Sequence, residues 1–138
     1  MKKLVFEIKH KKETYAIIIK KKRKFIKKGV DFITKEKNLL QLGFLNHNKN
    51  HQIKSHIHIK KKRVINYCTE VLMVESGKVG INFFNIAGKN IKKNVILNKG
   101  DIIILFKGGH GFKFFKKTKI IEIKQGPYVE GKDKKLLK

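Results

Sequence analysis

Apolar residues recur along this chain in short alternating runs, separated by clusters of Gly, Asn and Asp, and long stretches at helical spacing are scarce. A period of two puts successive side chains on opposite faces of a strand. Short β-branched and aromatic runs bounded by turn residues predict an all-β sandwich or barrel. The predicted strands cover residues 3–8, 14–20, 40–45, 52–59, 64–75, 79–86, 92–97, 101–106, 111–115 and 119–124. Ser76-Gly77-Lys78, residues 87–90 and Lys99-Gly100-Asp101 predict the turns between them. Residues 35–38 predict one helical turn. The basic run 20–28 predicts a solvated edge strand, where lysine also deters aggregation.

Four residues of the second half stand out against this pattern: His56, His58, Glu70 and His110. In His56-Ile57-His58 the two imidazoles are two positions apart, so a strand aims both the same way. Glu70 opens an apolar run, and Glu75 competes with it as a carboxylate. Parity separates them: Glu70, Leu72 and Val74 share one face, whereas Glu75 shares the other with Val71 and Met73 and adjoins the turn at Gly77. His110 sits in Gly108-Gly-His-Gly111, whose glycines suit a tight turn. Three imidazoles and one carboxylate are a ligand set for a divalent transition metal, with Fe, Mn, Ni or Zn all admissible.

Arg63 and Tyr67 are candidate substrate contacts. A planar guanidinium suits a carboxylate or phosphate, with a surface salt bridge as the alternative, and Tyr67 divides between core and pocket rim. Cys68 is expected to be a small buried residue rather than a nucleophile. His47 and His51 fall in an Asn/Lys-rich loop and are expected to be solvated. Asp101, after Gly100, is expected to be a turn residue.

These residues resemble the cupin superfamily. Its first motif has H-x-H, a short gap, a Glu, six residues and a Gly; His56, His58, Glu70 and Gly77 fall in those places. Its second motif begins with Gly and ends in a metal-binding His after a Pro-x-Gly turn; Gly100 to His110 is similar, with Phe106-Lys-Gly108 in place of the turn. The gap between His58 and Glu70 is longer than the common form, Gly43 is too far upstream for the first glycine, and His110 comes one residue early. The match looks closer to small bacterial cupins often encoded among surface-polysaccharide and sugar-modification genes. In those, Arg63 and Tyr67 fall in the gap, Gly108 to Phe112 form a Gly-Gly-His-Gly-Phe turn, and Lys124 to Tyr128 form a closing Lys-Gln-Gly-Pro-Tyr. The resemblance implies a double-stranded β-helix, that is, a cupin jelly-roll barrel. It implies His56, His58, Glu70 and His110 as metal ligands and a homodimer, formed by strand exchange or sheet packing near Tyr15 to Ile19.

Composition bounds the rest. A chain of 138 residues predicts one domain over 1–138, with N-terminal strands in 1–28, a core at about 29–128 and a basic C-terminal tail over 129–138, of which 132–138 is expected to be frayed. With Cys68 alone no intrachain disulfide forms. Glu7 interrupts the N-terminal apolar stretch and the longest apolar run is 102–106, so a soluble cytoplasmic protein is expected. The net charge is +25, yet of the 35 basic residues only Arg23 and Arg63 are arginine. Base-reading proteins lean on arginine, so only weak, non-specific nucleic-acid binding is expected. The expected function is binding or transforming a small polar or anionic metabolite, such as a sugar, nucleotide sugar or carboxylate, at the 3-His/1-Glu centre. If this is an enzyme, a dioxygenase or a sugar isomerase or epimerase fits. A non-catalytic binding or regulatory module is the alternative, and a lysine-rich polyanion binder is the third class.

Overall fold

In the computed structural model, which describes residues 4–137, every ladder is antiparallel and no α-helix occurs among the described residues. The strands are β1 (Val5–His10), β2 (Glu13–Ile19), β3 (Gly29–Phe32), β4 (Gly43–Asn46), β5 (Glu70–Ser76), β6 (Lys78–Phe84), β7 (Asn90–Asn98), β8 (Ile102–Leu105), β9 (Gly109–Phe114) and β10 (Lys119–Lys124). One turn of 3-10 helix covers Lys21–Arg23. Lys3, the start of the first predicted strand, lies outside the described residues. The chain divides into two compact units: one takes the residues up to Arg23 and from Tyr67 onward, the other is Lys24–Asn66. No helix among the described residues is long and apolar enough to cross a membrane.

The first unit holds two sheets, one in the order β1-β2-β8-β5-β10 and one in the order β7-β6-β9. Its core packs Ile18, Leu72, Val74 and Ile103 of the larger sheet with Val79, Ile81, Phe83 and Leu97 of the smaller. Ile17, Ile19, Ile102 and Ile104, on the opposite face of the larger sheet, are buried as well. Burial on both faces is why β2 and β8 appear in the sequence as continuous isoleucine runs and not as an alternation.

From β5 onward the chain crosses between the sheets at the β5–β6, β7–β8, β8–β9 and β9–β10 connections. Two of these corners require glycine. Gly77 has φ 90° and Gly108 φ 79°. A Cβ there would lie 2.4 Å from the Lys117 carbonyl oxygen in the first case and 2.4 Å from that of Phe84 in the second. Only a residue without Cβ tolerates both the left-handed backbone and the approach.

Asp101 is more than a turn residue. It is buried, and its carboxylate accepts the backbone N–H of Lys21 (3.0 Å) and of Asn98 (3.0 Å) and the Lys20 ammonium (2.7 Å). The same ammonium donates to the Ile96 carbonyl at 3.0 Å. Lys20 is therefore no solvated edge lysine: it ties the end of β2 to the β7–β8 corner. Residues 129–137 are exposed. Lys132 N–H donates to Val129 C=O, and Leu137 packs beside Gly88 and Gly109.

In the second unit β3 and β4 form a hairpin, from Gly29↔Asn46 to Phe32↔Gly43. Phe25 meets Phe44 edge to face at 5.4 Å, and Asn46 donates to the Phe25 carbonyl. β3 is absent from the sequence expectation because Asp31 interrupts its short apolar run. Residues 35–38 close a turn through Asn38 N–H and Lys35 C=O, not a helical turn. The predicted strand 52–59 does not form, and β5 begins at Glu70 instead of residue 64. Residues 51–68 are exposed throughout, with Ile57 at 92% and Ile59 at 87%. Alternation chooses a face but supplies no partner for the ladder, and the tetrad Lys60-Lys61-Lys62-Arg63 keeps the neighbouring backbone in water.

Candidate metal centre and the cavity beside it

β5 carries Glu70 at its first position, where the ladders pair it with Leu105 of β8 and Lys124 of β10. Residues directly opposite share a sheet face, as do residues two apart. Glu70 is thus on the side of Leu72 and Val74, facing the interior between the sheets, and Glu75 is exposed on the other side. β9 presents His110 opposite the buried Phe83 of β6, on the interior face of the smaller sheet. Two strands from different sheets so aim a carboxylate and an imidazole at each other.

The His110 Nε2–H donates to Glu70 Oε2 at 3.3 Å, and the two side chains are 26% and 17% exposed. This hydrogen bond holds the Glu70 carboxyl below its ordinary range. Desolvation pushes the other way and is outweighed; the charges of His110, Lys124 and Lys134 reinforce the hydrogen bond. The Phe112 ring abuts His110 at 5.2 Å between centroids.

Beside the pair lies a cavity of about 80 Å³, lined by Cys68, Glu70, Lys124, Gln125, Tyr128, Asp133 and Lys134. Gln125 is fixed there by a two-way link to Thr69: its side-chain oxygen accepts Thr69 N–H at 3.1 Å, and its own N–H donates to Thr69 C=O at 3.4 Å. The Cys68 thiol donates to the Gln125 carbonyl at 3.5 Å. Desolvation, with the Glu70 charge behind it, raises the pKa of that thiol. Cys68 is exposed and borders the cavity, contrary to the expectation of a small buried residue.

His56 and His58 lie in the second unit, in the exposed segment, with their rings edge to face at 5.2 Å. His56 Nδ1 is 2.9 Å from the Lys54 carbonyl oxygen. An Nδ1–H donating to that carbonyl leaves the Nε2 lone pair for a metal, the arrangement in which ligating histidines are commonly held. Arg63 is exposed in the same segment, and Tyr67 is half exposed at the start of the first unit's second stretch. His47 and His51 are exposed, their rings stacked at 4.0 Å.

The structure therefore brings Glu70 and His110 together in one unit and sets His56 beside His58 in the other. Among the described residues no group of three or more His, Cys, Asp or Glu side chains forms a metal-binding arrangement. The Glu70 carboxylate and the His110 imidazole are, by their chemistry, donors that a divalent metal accepts. The sequence expectation passed over Lys124, Gln125, Asp133 and Lys134. Lys124 and Gln125 stood only as part of a resemblance motif, and Asp133 and Lys134 fell in a stretch taken for a frayed end. No family model, curated protein or solved structure matches this chain.

Proposed function

We propose that this protein is a metal-dependent cupin, a jelly-roll barrel that binds or transforms a small polar or anionic metabolite at a centre of His56, His58, Glu70 and His110. The observation that carries the reading is the Glu70–His110 contact between the two sheets, 3.3 Å long and largely buried. A carboxylate and an imidazole set across an interior would supply half of a metal ligand set. The connectivity supports the fold: the chain alternates between two antiparallel sheets from β5 to β10, as jelly rolls do. β9 and β10 are edge strands of their sheets, open to a further strand. The segment 52–59 has alternating apolar positions and no ladder of its own.

In this reading Glu70 supplies the negative charge, His110 and the two segment histidines coordinate as neutral imidazoles, and the interior sheet faces exclude water. A bound divalent ion would act as a Lewis acid toward a ligand oxygen. Arg63 and Tyr67 flank the segment as contacts for the metabolite.

The test is elemental analysis and native mass spectrometry of protein purified without chelator. About one divalent metal per chain is expected, lost on joint replacement of His56 and His58 by Ala. Glu70→Gln should weaken binding far more than Glu75→Gln, because only Glu70 faces the interior. Full metal content in the double histidine variant would overturn the assignment.

A further inference from the structure

We propose that residues 129–137 form a strap across the end of the first unit at which Glu70 and His110 sit, and that release of this strap admits ligand to the pair. In one respect this rests on the reading above: the pair is taken to be where a ligand is held.

The register puts the pair at one end of the unit. Glu70 is the first residue of β5, opposite Leu105 and Lys124, the last residues of β8 and β10. Gly109 is the first residue of β9, one before His110, and lies opposite Phe84, the last residue of β6. Both sheets end here, and no ladder continues past the pair. The chain that leaves β10 crosses this end. It is first pinned to the larger sheet by the two hydrogen bonds between Gln125 and Thr69. Asp133 and Lys134 then border the same cavity as Glu70. Leu137 reaches the smaller sheet: a Cβ built on Gly109 would lie 2.8 Å from one of its methyl groups, and one built on Gly88, in the β6–β7 turn, 3.2 Å from the other. Gly109 shares the outer face with Phe84, since His110 and Phe83 take the interior one. The strap therefore runs past the pair, from the larger sheet to the outer face of the smaller.

Its holds are few. The Asp133 carboxylate accepts the Val129 N–H, and Lys132 N–H donates to Val129 C=O at 3.1 Å, which folds residues 129–133 into a loop. Gly131 stands at φ 74° in that loop, a left-handed backbone that glycine adopts without strain. Beyond it comes Leu137, 45% exposed, seated where Gly88 and Gly109 carry no side chain. No residue from 129 to 137 joins a ladder. A segment with few buried apolar contacts and no ladder lies at the low end of local stability, and opens more readily than the strands it crosses. Opening leaves Glu70 and His110 in place, because β5 and β9 hold them and neither strand depends on the strap for its ladder. The strap is thus a gate to the pair and not a member of the ligand set.

The test uses the full-length protein, stripped of metal with a chelator, and diethylpyrocarbonate, which acylates neutral imidazoles. Modification of each histidine is followed by peptide mass spectrometry. In the wild type His110 should react far more slowly than the exposed His51. Asp133→Ala removes the acceptor of the Val129 N–H and should raise the rate at His110 by about tenfold, the value of one hydrogen bond to a charged group. Leu137→Ser should raise it in the same direction, while His51 in both variants keeps its rate. Asp133→Asn retains a side-chain oxygen as acceptor and should stay close to the wild type. By hydrogen exchange, the Val129 amide should lose protection in Asp133→Ala alone. Both positions are exposed, so the urea midpoint should not move. A His110 rate unchanged in both variants, or one that rises only in step with a fallen midpoint, would overturn the strap. Because metal is absent throughout, a gated His110 in a protein that binds no metal refutes only the metal reading, and metal binding with an ungated His110 refutes only the strap.

Discussion

Asp101 and Glu70 are two carboxylates of one small unit in different surroundings. Asp101 is 4% exposed and its oxygens meet one ammonium and two backbone N–H groups. Asp101→Asn leaves Lys20 without its counter-charge in a half-buried place. The expected loss of stability is about 2–4 kcal/mol, read as a shift of the urea midpoint at unchanged slope, with exposed Glu130→Gln near zero. Glu70 faces a single histidine and a cavity. Folding lowers its pKa, chiefly through the His110 hydrogen bond, so on acidification the unfolded chain takes up this proton first, near the ordinary value of about 4.3. The stability due to Glu70 is therefore fully present above that pH and lost as pH falls through the lower folded value. In metal-free protein, Glu70→Gln should flatten the decline of the urea midpoint over that acid window. A variant with the wild-type acid slope would show that the His110 contact does not form in solution.

At the scale of elements, the crossings between sheets do as much as the strands. Gly108 turns the chain from β8 into β9 two residues before His110, with φ 79° and the Phe84 carbonyl against its missing Cβ. Gly108→Ala should cost about 1–3 kcal/mol and move His110 off Glu70, which the loss of Glu70's acid dependence would report independently of stability. An Ala variant with both properties unchanged would mean the corner is not built as described. The same elements show what the chain reveals by itself. The strands from β5 to β10 were legible because their patterns are long, β-branched and punctuated by Gly77, Gly88 and Gly100. The Glu70 face followed from parity alone. Three things were not legible. Residues 52–59 carry the right alternation, but pattern cannot supply a pairing partner. β3 is too short, and too interrupted by Asp31, to announce itself. Lys20, Lys124 and Lys134 look like every other lysine of a lysine-rich chain, and only tertiary contacts single them out.

For the whole molecule the dominant quantity is the net charge of +25. Lys20 is committed to Asp101 and Lys107 to Glu13, whereas Lys54 and the tetrad Lys60-Lys61-Lys62-Arg63 are exposed on a segment with no ladder. Exposed, mobile-headed ammonium groups attract any polyanion by counterion release, and that attraction falls steeply with salt. Selective recognition needs more: arginine forks on base edges, or aromatic platforms for stacking. The chain has two arginines and no tryptophan, and its exposed tetrad is flanked by isoleucine and valine, not by aromatic rings. Single- and double-stranded oligonucleotides should therefore bind weakly, about as well as heparin, and release by physiological salt. Because the lysines and the histidines are separate features, His56→Ala should leave this binding intact while it lowers metal content. Fluorescence anisotropy at two salt concentrations measures it. Sequence-selective binding near nanomolar at physiological salt would make nucleic acid the partner and the Glu70–His110 pair a structural contact.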